Sequence, residues 1–228
     1  GGKNAWVGSI LGGDASFDVL KLNPDGKTSN SQAVIEAGVL MDGGAGPYSV
    51  PVYQPFYDYM KVQGYELNDN AKTGKVFFDF PYDFRMDNRM WTKDLDKKVD
   101  EVLRKTKSDK VILVGHSMGG LQARLYMKDA ARAKKVAAVV FMGTPHHGAP
   151  MAFWTMIEGY NFGNSRVSES KFWEISANWV GGYQLLPDYP FIMDKASGKM
   201  LGIADINNQS WISEQEYKHY QTAQKAGQ

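Results

Sequence analysis

The chemistry of this sequence gathers at Gly115-His116-Ser117-Met118-Gly119, a serine framed by two glycines. A hydroxyl at that spacing is a candidate nucleophile, because a sharp strand-to-helix turn lifts it clear of its surroundings and aims a helix N-terminus at the reacting carbonyl. The N–H of the following residue, Met118, is the expected donor to the developing oxyanion. A serine is a poor nucleophile at neutral pH, so it needs a general base, and the base needs a carboxylate to orient it. Only four histidines exist: His116, His146, His147 and His219. His116 frames the turn beside Ser117 and is a candidate for the substrate site. No carboxylate in the right order precedes His146 and His147, which read as loop residues. His219 is the remaining candidate base, with Asp188, Asp194 and Asp205 as candidate acids between it and Ser117. His219 lies in a stretch that reads as a helix opened by the capping box Ser213-Glu214-Gln215-Glu216, a setting that also suits a surface histidine.

The elements that must position Ser117 are legible around it. Val111–Val114 is a short apolar run expected to be a strand buried on both faces, and LQARLYMKDAAR after the elbow reads as a helix. Asp94–Thr106 carries Leu95, Val99, Val102 and Leu103 at helical spacing. Val136–Met142 reads as a further two-sided strand. Upstream, Gln54–Gln63 reads as a helix stopped by Gly64, and Lys75–Phe80 as a strand ended by Pro81. Residues 54–142 thus alternate helix and strand, which implies right-handed crossovers and a mostly parallel sheet with helices on both faces. Ligands of such sheets bind beyond the C-terminal strand ends, where Tyr82–Arg85, Ser117 and Gly143–Gly148 fall. Phe17–Leu22 and Ala33–Leu40 are expected as short strands, and Gly181-Gly182 as a break ending the helical spacing of Lys171–Val180.

The chain has 228 residues, 43% of them apolar, enough for one sizeable domain. With 26 basic and 25 acidic residues and no basic run, nothing points to nucleic acid. The absence of cysteine removes disulfides, thiolate metal sites and a cysteine nucleophile. No cofactor or metal motif is present. The longest apolar run, Val136–Met142, falls far short of the roughly 20 residues that span a bilayer.

Four stretches together resemble the lecithin:cholesterol acyltransferase-like lipases of the α/β-hydrolase fold. Pro81-Tyr82-Asp83-Phe84-Arg85 is similar to that family's Y-D-W-R element, with phenylalanine in place of tryptophan. Val114–Gly120 resembles its nucleophile turn, Gly143-Thr144-Pro145-His146-His147-Gly148 a G-T-P-x-x-G loop, and Tyr183-Gln184-Leu185-Leu186-Pro187 a Y-Q-L-L-P element of bacterial members. The resemblance implies an α/β-hydrolase domain over residues 1–228, with a sheet core to about residue 150. A helical, aromatic-rich lid or cap is implied over 151–228, with the acid and base further downstream. It further implies a chain incomplete at both ends, Gly1-Gly2 being the last trace of the loop that supplies the second oxyanion donor. Arg85 either pairs with Asp83 to lock its loop or holds an anionic head group. Trp154, Trp173, Trp179 and Trp211, with Phe153, Phe162 and Phe172, are either ordinary core or an apolar lid over Ser117.

The expected activity is a serine hydrolase or acyltransferase on lipid carboxylic esters, working through an acyl-Ser117 and touching a lipid surface peripherally. The alternatives are an esterase, thioesterase or amidase on a soluble substrate, and a non-catalytic hydrolase-like binding domain of a larger surface protein. A secreted or cell-surface location is the matching expectation.

Overall fold

The computed structural model describes residues 14–29, 52–67, 74–157, 159–160 and 168–206. These fall into two compact units, one holding 52–83 and 91–142, the other 14–29, 84–90 and 143–206.

In the first unit, α1 (Gln54–Val62) is followed by the short strands β1 (Glu66–Leu67) and β2 (Val76–Phe77), which pair in parallel. Gly64 stops the helix at φ +83°, a left-handed turn that suits a residue without Cβ. Phe77 anchors α1 by stacking on Tyr57 at 5.7 Å and meeting Phe56 edge to face at 6.2 Å. The strand expected over Lys75–Phe80 is therefore only its first half, and within the described residues its ladder partner is β1.

Helix α2 (Thr92–Thr106) buries Leu95 and Val99, as the spacing predicts, and ends on Lys107 in the left-handed region. Asp94 in its first turn and Arg104 and Lys105 in its last complement the helix dipole. Strand β3 (Val111–His116) runs through the serine turn into α3 (Met118–Met127), then a short α4 (Ala130–Ala133) capped by Asp129, and β4 (Val136–Met142). β3 and β4 are parallel, with Val114 opposite Val140 and His116 opposite Met142. That parallel strand–helix–strand unit is the arrangement the alternation predicts.

The strands are not buried on both faces, however. One face packs Val111, Leu113, Val136 and Val139 with Leu95, Val99 and Tyr126. On the other, Ile112 is 64% exposed, Val114 48% and Val140 45%. An apolar run reads the same whichever faces are covered, so the sequence pattern had no means of separating the two cases.

In the second unit, Phe17–Leu22 is not a strand. Asp14–Leu20 is a 3-10 helix, and only Leu22 makes a bridge, to Ser29. Phe17 and Leu20 lie three residues apart, one 3-10 turn, so both bury against Phe172, Ile175 and Trp179. Helices α5 (Pro150–Ile157), α6 (Glu169–Ser176) and α7 (Val180–Tyr183) come next, then the antiparallel hairpin β5 (Ile192–Met193) and β6 (Met200–Leu201) and a short α8 (Ile203–Ile206).

Gly181 and Gly182 lie inside α7 rather than breaking the pattern. The break falls just before them, over Ala177–Trp179. Gly181 is needed for close approach: its N–H donates to Arg85 O at 3.1 Å, and a Cβ would overlap the carbonyl oxygens of Phe84 and Met86. Of the aromatic residues weighed as core or lid, Phe153, Phe172 and Trp179 are at most 3% exposed and form core, while Trp154 is 41% exposed. Phe162, Trp211, Ala33–Leu40 and the capping box at Ser213 lie outside the described residues. Among the described residues no helix is long and apolar enough to cross a membrane.

Candidate active site

Ser117 occupies the junction of β3 and α3 with φ +51° and ψ −127°, a backbone conformation that a non-glycine residue rarely adopts. Two hydrogen bonds hold it there. Its N–H donates to Met142 O at 2.8 Å, extending the β3–β4 ladder by one step, and its own carbonyl accepts from Gly120 N at 3.0 Å. The hydroxyl does not cap the helix it precedes, the usual fate of a serine in that position. The N-terminal turn of α3 starts at Met118, whose side chain is buried and whose N–H is the first of the helix.

The turn is tight because of Gly115, and in a way the motif does not spell out. A Cβ on Gly115 would lie 2.6 Å from Gly120 Cα and 2.7 Å from Gly120 N. Gly119, the second glycine of the pattern, has Tyr82 Oη at 3.9 Å as the nearest atom to a Cβ and is sterically open. The close-packed pair is thus Gly115 with Gly120.

His116 stays exposed at the end of β3. Its Nδ1 lies 3.2 Å from Tyr53 Oη, and the two rings meet edge to face at 5.5 Å. Burial pushes the Tyr53 phenol above its ordinary value of 10. Tyr82 is pushed up further, first by burial and then by the Tyr53 charge it would have to face.

The other candidates lie in the second unit. Arg85 is 2% exposed, and its Nη1 donates to Leu20 O at 2.8 Å, a carbonyl that also accepts from Trp179 Nε1 at 3.0 Å. Its guanidinium thus ties the 3-10 helix to the segment after Tyr82-Asp83. Gln184 works beside it, accepting from Asn88 N and Nδ2 and donating to Asp87. The Arg of the Y-D-F-R stretch and the Gln of Y-Q-L-L-P therefore both hold the segment 85–88 in place.

Asp188 meets His147, whose Nδ1 lies 3.1 Å from each carboxylate oxygen. The backbone joins the same segments: Asp188 N donates to His147 O at 3.1 Å and Ala149 N to Leu185 O at 2.8 Å. Gly148, at φ +85°, packs so closely on Leu186 and Pro187 that a Cβ would overlap their backbone. Sequence reasoning read His147 as a loop residue and missed this partner. The signal was present only indirectly, in Asp188 coming directly after Y-Q-L-L-P.

Asp194 closes its hairpin turn by accepting from Ser197 Oγ and Ala196 N, which holds its carboxyl below the ordinary value. Asp205 accepts from Gly202 N at 2.9 Å, with Lys199 at 3.6 Å, and is lowered by both. His219 lies outside the described residues. Among those described, no cluster of histidine and carboxylate side chains has the makings of a metal site.

A serine at φ +51° between a parallel strand and a helix is the backbone arrangement that the G-x-S-x-G pattern calls for. The family model for lecithin:cholesterol acyltransferase matches residues 43–225, and the chain belongs to that family, whose fold is the α/β hydrolase. It is 35% identical over 83 residues to a phospholipase A(1), LCAT3, of Arabidopsis thaliana, a match over 35% of this chain and 19% of that protein. It is 34% identical over 97 residues to the lecithin-cholesterol acyltransferase-like 4 protein of the same plant, over 40% of this chain and 18% of that one. The matches thus span under a fifth of the length of these relatives. A chain in the crystal structure of the Tle4–Tli4 complex superposes with a TM-score of 0.49 at 20% identity, over 67% of this chain and 41% of that one.

Proposed function

We propose that the protein is a serine hydrolase or acyltransferase of lipid carboxylic esters. Ser117 attacks the acyl carbonyl, the Met118 N–H takes part of the developing oxyanion charge, and the alcohol leaves. Water or a second alcohol then resolves the acyl-Ser117. The observation that carries this reading is the backbone of Ser117 itself, held at φ +51° between a parallel strand and a helix, with its hydroxyl not spent on capping. Strain of that kind persists only where the surrounding structure enforces it, here through Met142 O, Gly120 N and the Gly115–Gly120 contact. Family membership supports the lipid-ester substrate class.

The test is a single-turnover reaction of the complete gene product with a phospholipid carrying a labelled acyl chain, quenched in acid. A labelled acyl group on the peptide containing Ser117, then its release to water or to added alcohol, is the expected result. Turnover of short soluble esters with no long-chain acyl-enzyme would replace the lipid assignment by a soluble esterase. A folded protein that acylates with neither would leave a binding domain.

A further inference from the structure

The pair formed by Tyr53 and His116 is not required by the serine chemistry, yet it is built onto the element that carries it. His116 is the last residue of β3, opposite Met142 in the ladder, and immediately precedes Ser117. Tyr53 stands at the N-terminal boundary of α1, with Pro55 fixing the first turn behind it. His116 thus projects from the end of a strand and Tyr53 from the start of a helix, although 63 residues separate them in the chain. The 3.2 Å contact and the near-perpendicular rings, at 88°, fix the imidazole by one nitrogen and one edge.

The chemistry of the two groups decides what remains. Burial keeps the Tyr53 phenol protonated, so it has a proton to donate. With the hydroxyl donating and Nδ1 accepting, the imidazole's own proton sits on Nε2, which is also the tautomer neutral imidazole prefers in water. Nε2–H is then the only polar atom of the His116 side chain left for a ligand, on an exposed ring beside the nucleophile. With the Met118 N–H assigned to the carbonyl oxygen, the His116 ring is a second donor next to Ser117 that the oxyanion does not need.

We propose that Tyr53 is a positioning residue: its hydroxyl fixes the ring and tautomer of His116, whose Nε2–H donates a hydrogen bond to an oxygen in the alcohol portion of the ester bound at Ser117. This rests on Ser117 being the nucleophile. It bears on esters whose alcohol portion carries further oxygens, such as those of glycerol. Esters of simple alkyl alcohols have nothing to accept that bond.

The discriminating experiment compares kcat/KM of the complete gene product for the glyceryl and the propyl ester of one fatty acid. Loss of one hydrogen bond to substrate lowers the glyceryl-to-propyl ratio by about fivefold, the size expected for a neutral pair. His116→Leu should do this in full, and Tyr53→Phe in part, because the freed ring keeps Nε2–H as its commoner tautomer but loses its fixed orientation. His116→Gln, whose amide N–H falls near the place of Nε2–H, should restore the ratio and make it insensitive to Tyr53→Phe. Nitrogen NMR of the imidazole supplies a readout that mere structural damage would not give: the Nε2–H tautomer in the wild type, a shift toward a mixture in Tyr53→Phe.

Fluorophosphonate labelling of Ser117 in each variant separates the role of Tyr53 from that of the nucleophile. If Ser117 is labelled but neither the ester ratio nor the tautomer changes in Tyr53→Phe, the role of Tyr53 is overturned and the nucleophile stands. If the wild type itself is not labelled, the nucleophile fails and the inference with it. Should Tyr53→Phe not fold, the contrast of His116→Gln with His116→Leu decides: equal ratios in the two overturn the donor role.

Discussion

Replacing Gly115 by alanine tests the construction of the elbow through a single methyl group. That methyl would sit 2.6 Å from Gly120 Cα, 2.7 Å from Gly120 N and 2.9 Å from Gly119 C. Carbon atoms in contact prefer about 3.5 Å or more, so strand β3 and helix α3 must separate by roughly 0.9 Å. Both walls are backbone, so no rotamer change relieves the overlap. β3 cannot withdraw without stretching its ladder to β4, which runs from Val111 to His116. Overpacking of this kind costs about 1–3 kcal/mol, and rigid backbone on both sides places Gly115→Ala near 3 kcal/mol. With a urea m-value of about 2 kcal/mol/M, the unfolding midpoint should fall by about 1.5 M. Gly119→Ala is the control. Its methyl meets nothing closer than Tyr82 Oη at 3.9 Å, and alanine is favoured over glycine in a helix by up to about 1 kcal/mol. Its midpoint should hold or rise. A displacement of Ser117 approaching 1 Å also costs reactivity on the order of 100-fold, so labelling of Gly115→Ala should slow to that extent at temperatures where it stays folded. Equal midpoints for the two alanine variants would overturn this packing explanation, since both replace a motif glycine and only at Gly115 does the added methyl meet backbone.

Three further outcomes rest on the same geometry and are read by the same denaturation experiments. Phe153→Ala empties a site 1% exposed where Phe191 and Trp154 pack at 5.2 and 5.5 Å, and should lower stability by about 3–5 kcal/mol. Arg85→Leu removes a buried donor from Leu20 O and should cost about 1–3 kcal/mol; an unchanged midpoint would show that the buried guanidinium is not holding that segment. Acid should destabilise the protein through Asp87: burial alone would raise its carboxyl, but hydrogen bonds from Arg89 and Gln184 outweigh this and hold it below 3.8. A carboxyl lowered in the folded state contributes stability above its unfolded value and loses it as pH falls through the folded one, so the midpoint should stay level from pH 7 to about 5 and decline below about 4. Asp96 and Glu174 shift in the same direction, and Asp87→Asn should flatten part of the decline.

Features set by local pattern were legible in the sequence. The spacing of Leu95 and Val99 gave α2, Gly64 gave the end of α1, and the motif around Ser117 gave the strand–turn–helix on which the functional reading rests. Features set by what lies across the chain were not. Nothing within F-D-V-L-K-L says that Phe17 and Leu20 will share one face of a 3-10 turn against Trp179, because alternation and a three-residue repeat coincide over so short a run. Gly181 looked like a breaker, since the carbonyls it must clear belong to Phe84 and Met86. The His147–Asp188 and Tyr53–His116 contacts join residues 41 and 63 positions apart, and residue type alone does not identify such partners. Arg85 shows the limit from the other side. Its charge suited either a loop-locking bond or an anionic ligand, and its burial and the bond to the Leu20 carbonyl, a partner 65 residues away, show the locking role.

Everything proposed for the site depends on Ser117 being a nucleophile, which covalent trapping examines without any knowledge of the natural substrate. The complete gene product is treated with a fluorophosphonate, digested, and its adducts are located by mass spectrometry. A reactive Ser117 gives one adduct, on the peptide that carries it, and none in Ser117→Ala. An adduct that persists in Ser117→Ala, or a folded wild-type protein that takes none, would show that Ser117 is not the nucleophile.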